Sequence, residues 1–151
     1  MGAEGASAFE NLLRSPRIKS LNDARQQSRL LASLATPAVD YLRAMRIRAM
    51  AAPHALKLFE EVDLIVAPTL LKEAVPVDLP MSQTWRNVGG NAGPGNLFGW
   101  PSMSLPMGFG PAGLPLGLEI MAPPFAEETI LALAVPFQQE TDWHRKRPPL
   151  K

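Results

Sequence analysis

The sequence contains no cysteine. Disulfides, cysteine-ligated zinc and a thiol nucleophile are therefore excluded together. Histidine occurs only at His54 and His144, too few for a histidine-rich metal centre. No apolar run approaches the ~20 residues of a membrane span. The start, MGAEGASAF, has neither the basic nor the apolar part of a secretory leader. An excess of charge is missing too: Lys+Arg is 15 and Asp+Glu is 14, a formal net charge of +1. Such a balance gives no general attraction to nucleic acid or to anionic lipid. These absences predict a cytoplasmic chain with no nucleic acid, no membrane and no metal or other cofactor to bind.

Length and composition fit a folded unit. The 151 residues are 46% hydrophobic and 19% charged, a prior for one domain, residues 1–151. The 16 prolines are unevenly placed: only Pro16 and Pro37 precede Pro53. Proline fixes φ and removes a backbone donor, so the first third is expected to be helical and the rest short strands and turns. Ser20-Leu21-Asn22-Asp23 fits a capping box opening a helix over 21–34. Thr36-Pro37 reads as a second helix start, with the proline at the first helical position. Val39, Leu42, Met45, Ala49, Ala52, Leu56 and Phe59 then recur on one helix face. Pro53 falls inside that pattern, which predicts a break near Ala52 and two joined helices, 37–51 and 53–60. The arginines of this region, including Arg43, Arg46 and Arg48, read as a solvated face, since no aromatic residues for base stacking are interleaved with them.

Asp63–Pro68 is a short apolar run, the signature of a buried strand. Residues 69–86 read as a loop. No residue from Asn87 to Leu118 carries a charge, and nine of the eleven glycines lie there. A solvated loop normally carries charge, so this stretch is expected to be buried or to line a cleft, with glycines allowing close backbone approach. Within it, Ser102–Met107 and Leu114–Met121 read as an antiparallel hairpin around a Gly/Pro turn. Glu127–Gln138 returns to a helical period, with Ile130, Leu131, Ala134 and Phe137 on one face. The elements together make an α/β chain.

Several chemical constellations fail on inspection. The glycine-rich run Gly89–Asn96 lacks the Gly-Lys-Ser/Thr ending of a phosphate loop. Asp142 and His144 have no nucleophile elbow to serve. Glu60, Glu61 and Asp63 lack a further ligand in pattern. A serine–lysine mechanism needs a buried neutral lysine, and Lys19, Lys57, Lys72, Lys146 and Lys151 all stand in polar or terminal contexts. The residues thus offer a pocket-like segment without a catalytic engine.

An ordered series of motifs nevertheless resembles one family. Ala8-Phe9-Glu10 with Leu12-Leu13, and Tyr41, Ala44 and Arg48 in a Tyr-x-x-Ala-x-x-x-Arg helix, come first. Asp63–Thr69 then matches an Asp, three apolar residues, any residue, Pro and Thr. Asn96-x-x-Gly99-x-Pro101 follows, then Pro106-x-Gly108-Phe109 and Gly113-Leu114-Pro115-x-Gly117-x-Glu119. Phe125-x-Glu127, Thr141–His144 and Pro148 close the series. In this order they resemble the C-terminal part of amidase-signature enzymes, from about Ala8 to Pro149. Glu119 stands where the family usually has Gln. The family's catalytic serines and lysine belong to a Gly/Ser-rich signature and a preceding strand, and neither occurs in this sequence.

The resemblance implies an α/β fold: the C-terminal portion of a mixed sheet flanked by helices, with helices first, then a strand, a β-hairpin and a closing helix. It implies hydrolysis of a carboxylic amide through a serine acyl-enzyme, with this chain supplying pocket wall rather than nucleophile. The absence of an acidic residue between Asn87 and Gly95 favours the general amidase branch over the glutamine-using one. No catalytic residue is expected here. Trp85, Asn91, Asn96 and Phe98 are the candidate substrate-binding residues, because pockets combine apolar walls with a few placed polar groups. The expected partners are a small amide substrate, a complementing N-terminal amidase chain and a second copy of the chain. The alternative is a non-catalytic binding module derived from an amidase.

Overall fold

A computed structural model describes residues 2–84, 90 and 92–147. The helical first third is observed. Helices α1 (Gly2–Ala8), α2 (Glu10–Leu13), α3 (Ala24–Ser33) and α4 (Ala38–Leu56) follow one another, with a 3-10 turn over Pro16–Ser20. Ala6, Leu13 and Ile18 bury one another there, with Leu21, Leu30 and Leu34 packed around them.

Three local details differ from expectation. Ser20 does not cap α3. Its hydroxyl donates to the Arg17 carbonyl within the 3-10 turn, and Asp23 accepts from Arg25 N at the helix start instead. Pro37 lies just outside α4 rather than in its first turn, and its carbonyl accepts from Asp40 and Tyr41. Pro53 does not break α4, which continues to Leu56 before a 3-10 turn over Lys57–Glu60. A proline at this position removes only the bond to the Ala49 carbonyl. Ala49 and Pro53 are both exposed, so water can serve that oxygen.

The sheet forms as expected. Strands β1 (Ile65–Pro68), β2 (Ser102–Phe109) and β3 (Pro115–Met121) lie in the order β1-β3-β2, antiparallel throughout. Val66 and Met103 both pair with Ile120, and Ala67 and Ser104 both pair with Glu119. A register shift between Pro106 and Gly108 bends β2 near the turn. Between β1 and β2 come the one-turn helix α5 (Met81–Thr84) and α6 (Ala92–Phe98).

Alternation along β3 divides the sheet into two faces. Ile120 points to the closing helix α7 (Glu127–Glu140), forming a core with Leu105, Ala122, Ile130 and Ala134. Phe137 packs on this core, whereas Leu131 is turned outward and leaves the predicted face. The opposite face carries Gly117, Glu119 and Met121.

Much apolar surface stays uncovered. No residue of α4 is buried, and Val39, Leu42, Ile47 and Met50 are exposed, Met50 by 72%. The chain's accessible surface is 11390 Å², against about 7,500 Å² for a compact monomer of its mass.

Candidate functional site

The candidate site is built around α6 and the turn that follows it. Gly99 adopts a φ of +75°, a conformation glycine tolerates without strain, and so reverses the chain after Phe98. The amides of Gly99 and Trp100 both donate to the Gly95 carbonyl, closing the helix end. Arg48 of α4 donates from Nε to the Leu97 carbonyl, placing a cation at the end of the helix where carbonyls are unpaired. Trp100 is buried between Phe59, at a ring distance of 4.9 Å, and Phe98, at 5.4 Å. The family's Asn-x-x-Gly-x-Pro motif is thus held by backbone hydrogen bonds, one arginine and three rings.

The predicted site residues fare differently. Trp85 and Asn91 lie outside the described residues. Asn96 is exposed on α6, and Phe98 is half-buried against Trp100. The uncharged stretch was expected to be buried or to line a cleft. Gly95, Trp100 and Leu105 of that stretch are buried and Pro106, Phe109 and Leu114 line a cavity, whereas Gly93, Pro94, Asn96, Leu97 and Gly99 are exposed, since none of the described residues covers the outer side of α6.

Beside α6, the sheet face away from α7 carries polar groups. Ser104 and Thr69 share a hydrogen bond of 2.6 Å. Ser102 donates to Glu119 Oε1 at 2.8 Å. Glu119 is only 3% exposed, and its Oε2 is sealed from solvent without a partner among the described residues. Burying such an oxygen is costly. Gly117 leaves no spare room here, since a Cβ would stand 2.7 Å from both Ser104 Oγ and Thr69 Oγ1. Reasoning from sequence missed Glu119 and Arg48 as site-building residues. The signals were an acid at the end of an uncharged run, and the arginine that closes the Tyr41–Arg48 motif.

No nucleophile–base pair is assembled among the described residues. Lys19, Lys57, Lys72 and Lys146 are all exposed, so none is a desolvated base. Asp142 pairs with Lys146 at 2.6 Å, and that hydrogen bond holds its carboxyl below the ordinary carboxylate value. Asp142 therefore does not orient His144. The described residues hold no cluster of three potential metal ligands, and none of their helices is long and apolar enough to cross a membrane. Two cavities, of about 400 and about 380 Å³, lie at the end of α7 and at the far end of the hairpin. Neither is lined by Asn96 or Phe98.

The chain is similar to known proteins in both sequence and fold. A glutamyl-tRNA(Gln) amidotransferase subunit from Methanosarcina mazei is 41% identical over 113 residues, which is 72% of this chain and 23% of that protein. The corresponding subunit of a Synechococcus species is 39% identical, over 73% of this chain and 22% of its own length. The chain thus spans about a quarter of the length of these curated relatives. Among solved structures, an amidase superposes with a TM-score of 0.70 at 24% identity, covering 87% of this chain and 31% of that one. At that identity the likeness speaks for the fold alone. A peptide amidase from Stenotrophomonas maltophilia gives a TM-score of 0.67 at 26% identity, over 94% of this chain and 29% of its own. The sequence model of the Amidase family matches residues 2–131. With its motifs in order, its fold shared and most of its length matched, the chain belongs to the amidase family.

Proposed function

We propose that this chain is the C-terminal, pocket-forming part of an amide hydrolase working through a serine acyl-enzyme, and that it is inactive by itself. The catalytic core comes either from a longer form of the same polypeptide or from a complementing amidase chain. The observation that carries this reading is the uncovered apolar surface. The chain exposes 11390 Å², roughly half again the area of a compact protein of its mass, and α4 has no buried residue. Exposed apolar patches on this scale mark surfaces that other protein covers. The exposed lysines support the same reading, since a serine–lysine mechanism needs a desolvated one.

In this reading residues 1–151 act as one unit, in the cytoplasm. Trp85, Asn91, Asn96 and Phe98 are its substrate-binding residues. The curated relatives are amidotransferase subunits. The run from Asn87 to Gly95 holds no acidic residue, which supports an amide hydrolase rather than a glutamine-using enzyme.

The test is to co-express the chain with an amidase catalytic core and to measure ammonia release from propionamide and benzamide. Trp85→Ala and Phe98→Ala are expected to change the ratio of the two rates by about tenfold, the scale on which pocket shape discriminates. Unchanged ratios, together with large losses of stability in both variants, would assign these residues to scaffold instead.

A further inference from the structure

A second site lies away from α6. The cavity of about 380 Å³ sits between the tip of the β2–β3 hairpin and the 3-10 turn Trp143–Arg145 that follows α7. Its volume falls at the lower end of small-molecule sites. Phe109 and Trp143 form one apolar corner, edge to face with ring centres 5.9 Å apart. Leu114 and the hairpin's prolines continue the apolar wall. His144, Lys146 and Arg147 also line it, and none of its described lining residues is acidic.

The two side-chain cations of the lining differ in their engagement. Asp142 is engaged with Lys146. The Glu73 carboxylate is engaged by the amides of Ala112 and Leu114 on the hairpin turn. Arg147 forms no ion pair among the described residues; its Nη1 donates to the His144 carbonyl. Its guanidinium keeps further donors for a planar anion. His144 adds a directed group. Its Nδ1 is enclosed without a hydrogen-bond partner among the described residues.

We propose that this cleft binds an aromatic carboxylate, with its ring against Phe109 and Trp143 and its carboxylate toward Arg147 and His144. The site is independent of amide hydrolysis and needs no catalytic core.

The test titrates the whole chain with benzoate, following the indole resonance of Trp143 and the ring resonances of His144 by NMR. Acetate, sulfate and benzylamine serve as comparison probes. Saturable shifts at Trp143 and His144 are expected with benzoate, without shifts at Trp100. Acetate and sulfate lack the ring and benzylamine lacks the negative charge, so all three are expected to bind at least tenfold more weakly. Arg147→Gln should weaken benzoate binding about five- to tenfold while leaving the spectrum of the free chain otherwise unchanged. Lack of saturation by ~10 mM benzoate would overturn the proposal, that being weaker than any useful site. So would equal binding of benzylamine or acetate, or an Arg147→Gln variant with undiminished affinity.

Discussion

Glu119 joins a buried position to an unmet hydrogen bond. Its Oε1 receives the Ser102 hydroxyl, while Oε2 is enclosed with nothing to bond among the described residues. A neutral amide is cheaper to bury than an unpaired carboxylate. Glu119→Gln is therefore expected to leave the chain as stable as before, or more stable by on the order of 1 kcal/mol. Glu119→Ala strips Ser102 of its acceptor and leaves a void, and should cost about 2 kcal/mol. Urea unfolding followed by tryptophan fluorescence checks both, and a Gln variant losing more than about 1 kcal/mol would contradict this reading. The sequence displayed an acid where the family resemblance has Gln. Its burial was not legible, because that follows from pairing with Ala67 and Ser104 on two different strands. Gly117 was likewise visible as a motif glycine, but the contact that requires it comes from Thr69, far away in the chain. Gly117→Ala should cost about 1–3 kcal/mol as Thr69 and Ser104 are forced apart.

At the scale of elements, one carboxylate fastens an otherwise irregular segment to the sheet. Glu73 lies in the loop after β1, and its Oε1 accepts from the amides of Ala112 at 3.1 Å and Leu114 at 3.0 Å. Gly110 allows this approach, since any Cβ there would overlap the Glu73 side chain. Hydrogen bonds to a charged group are worth more than neutral ones, and partial exposure reduces that. Glu73→Ala should cost about 1–2 kcal/mol and speed amide exchange at Ala112 and Leu114. Unchanged exchange at both amides would show that the clamp does not hold in solution. The hairpin itself was readable from two apolar runs spaced around a Gly/Pro turn, and α7 from its 3.6-residue period. Helix ends were less readable. Ser20 and Asp23 both suit a cap, and the choice between them was made by the 3-10 turn that engages Ser20. Pro53 looked like a break, yet on an exposed stretch of α4 its missing bond is easily replaced by water. The periodic stripe of α4 was legible in its spacing, but a stripe cannot say whether its partner lies within the same chain.

Among the described residues of the whole molecule, two small buried clusters hold the chain together, one among the N-terminal helices and one between the sheet and α7. Around them, helix α4 and the outer side of α6 remain exposed. Surface in such excess is what an element of a larger assembly presents when it stands alone. The family motifs were legible in the sequence and so was the fold class. The exposure of the outer side of α6 was not, because composition predicts a need for cover without saying what provides it. The central claim is that this chain contributes pocket wall to an amide hydrolase and no nucleophile of its own. The most direct measurement is ammonia release from benzamide by the purified chain alone and after addition of an amidase catalytic core. No release above the uncatalysed rate is expected from the chain alone, and turnover is expected to appear with the core and to saturate as the chain is added. Turnover by the chain alone that survives repurification, and is abolished by replacing one of its own serines, would contradict it.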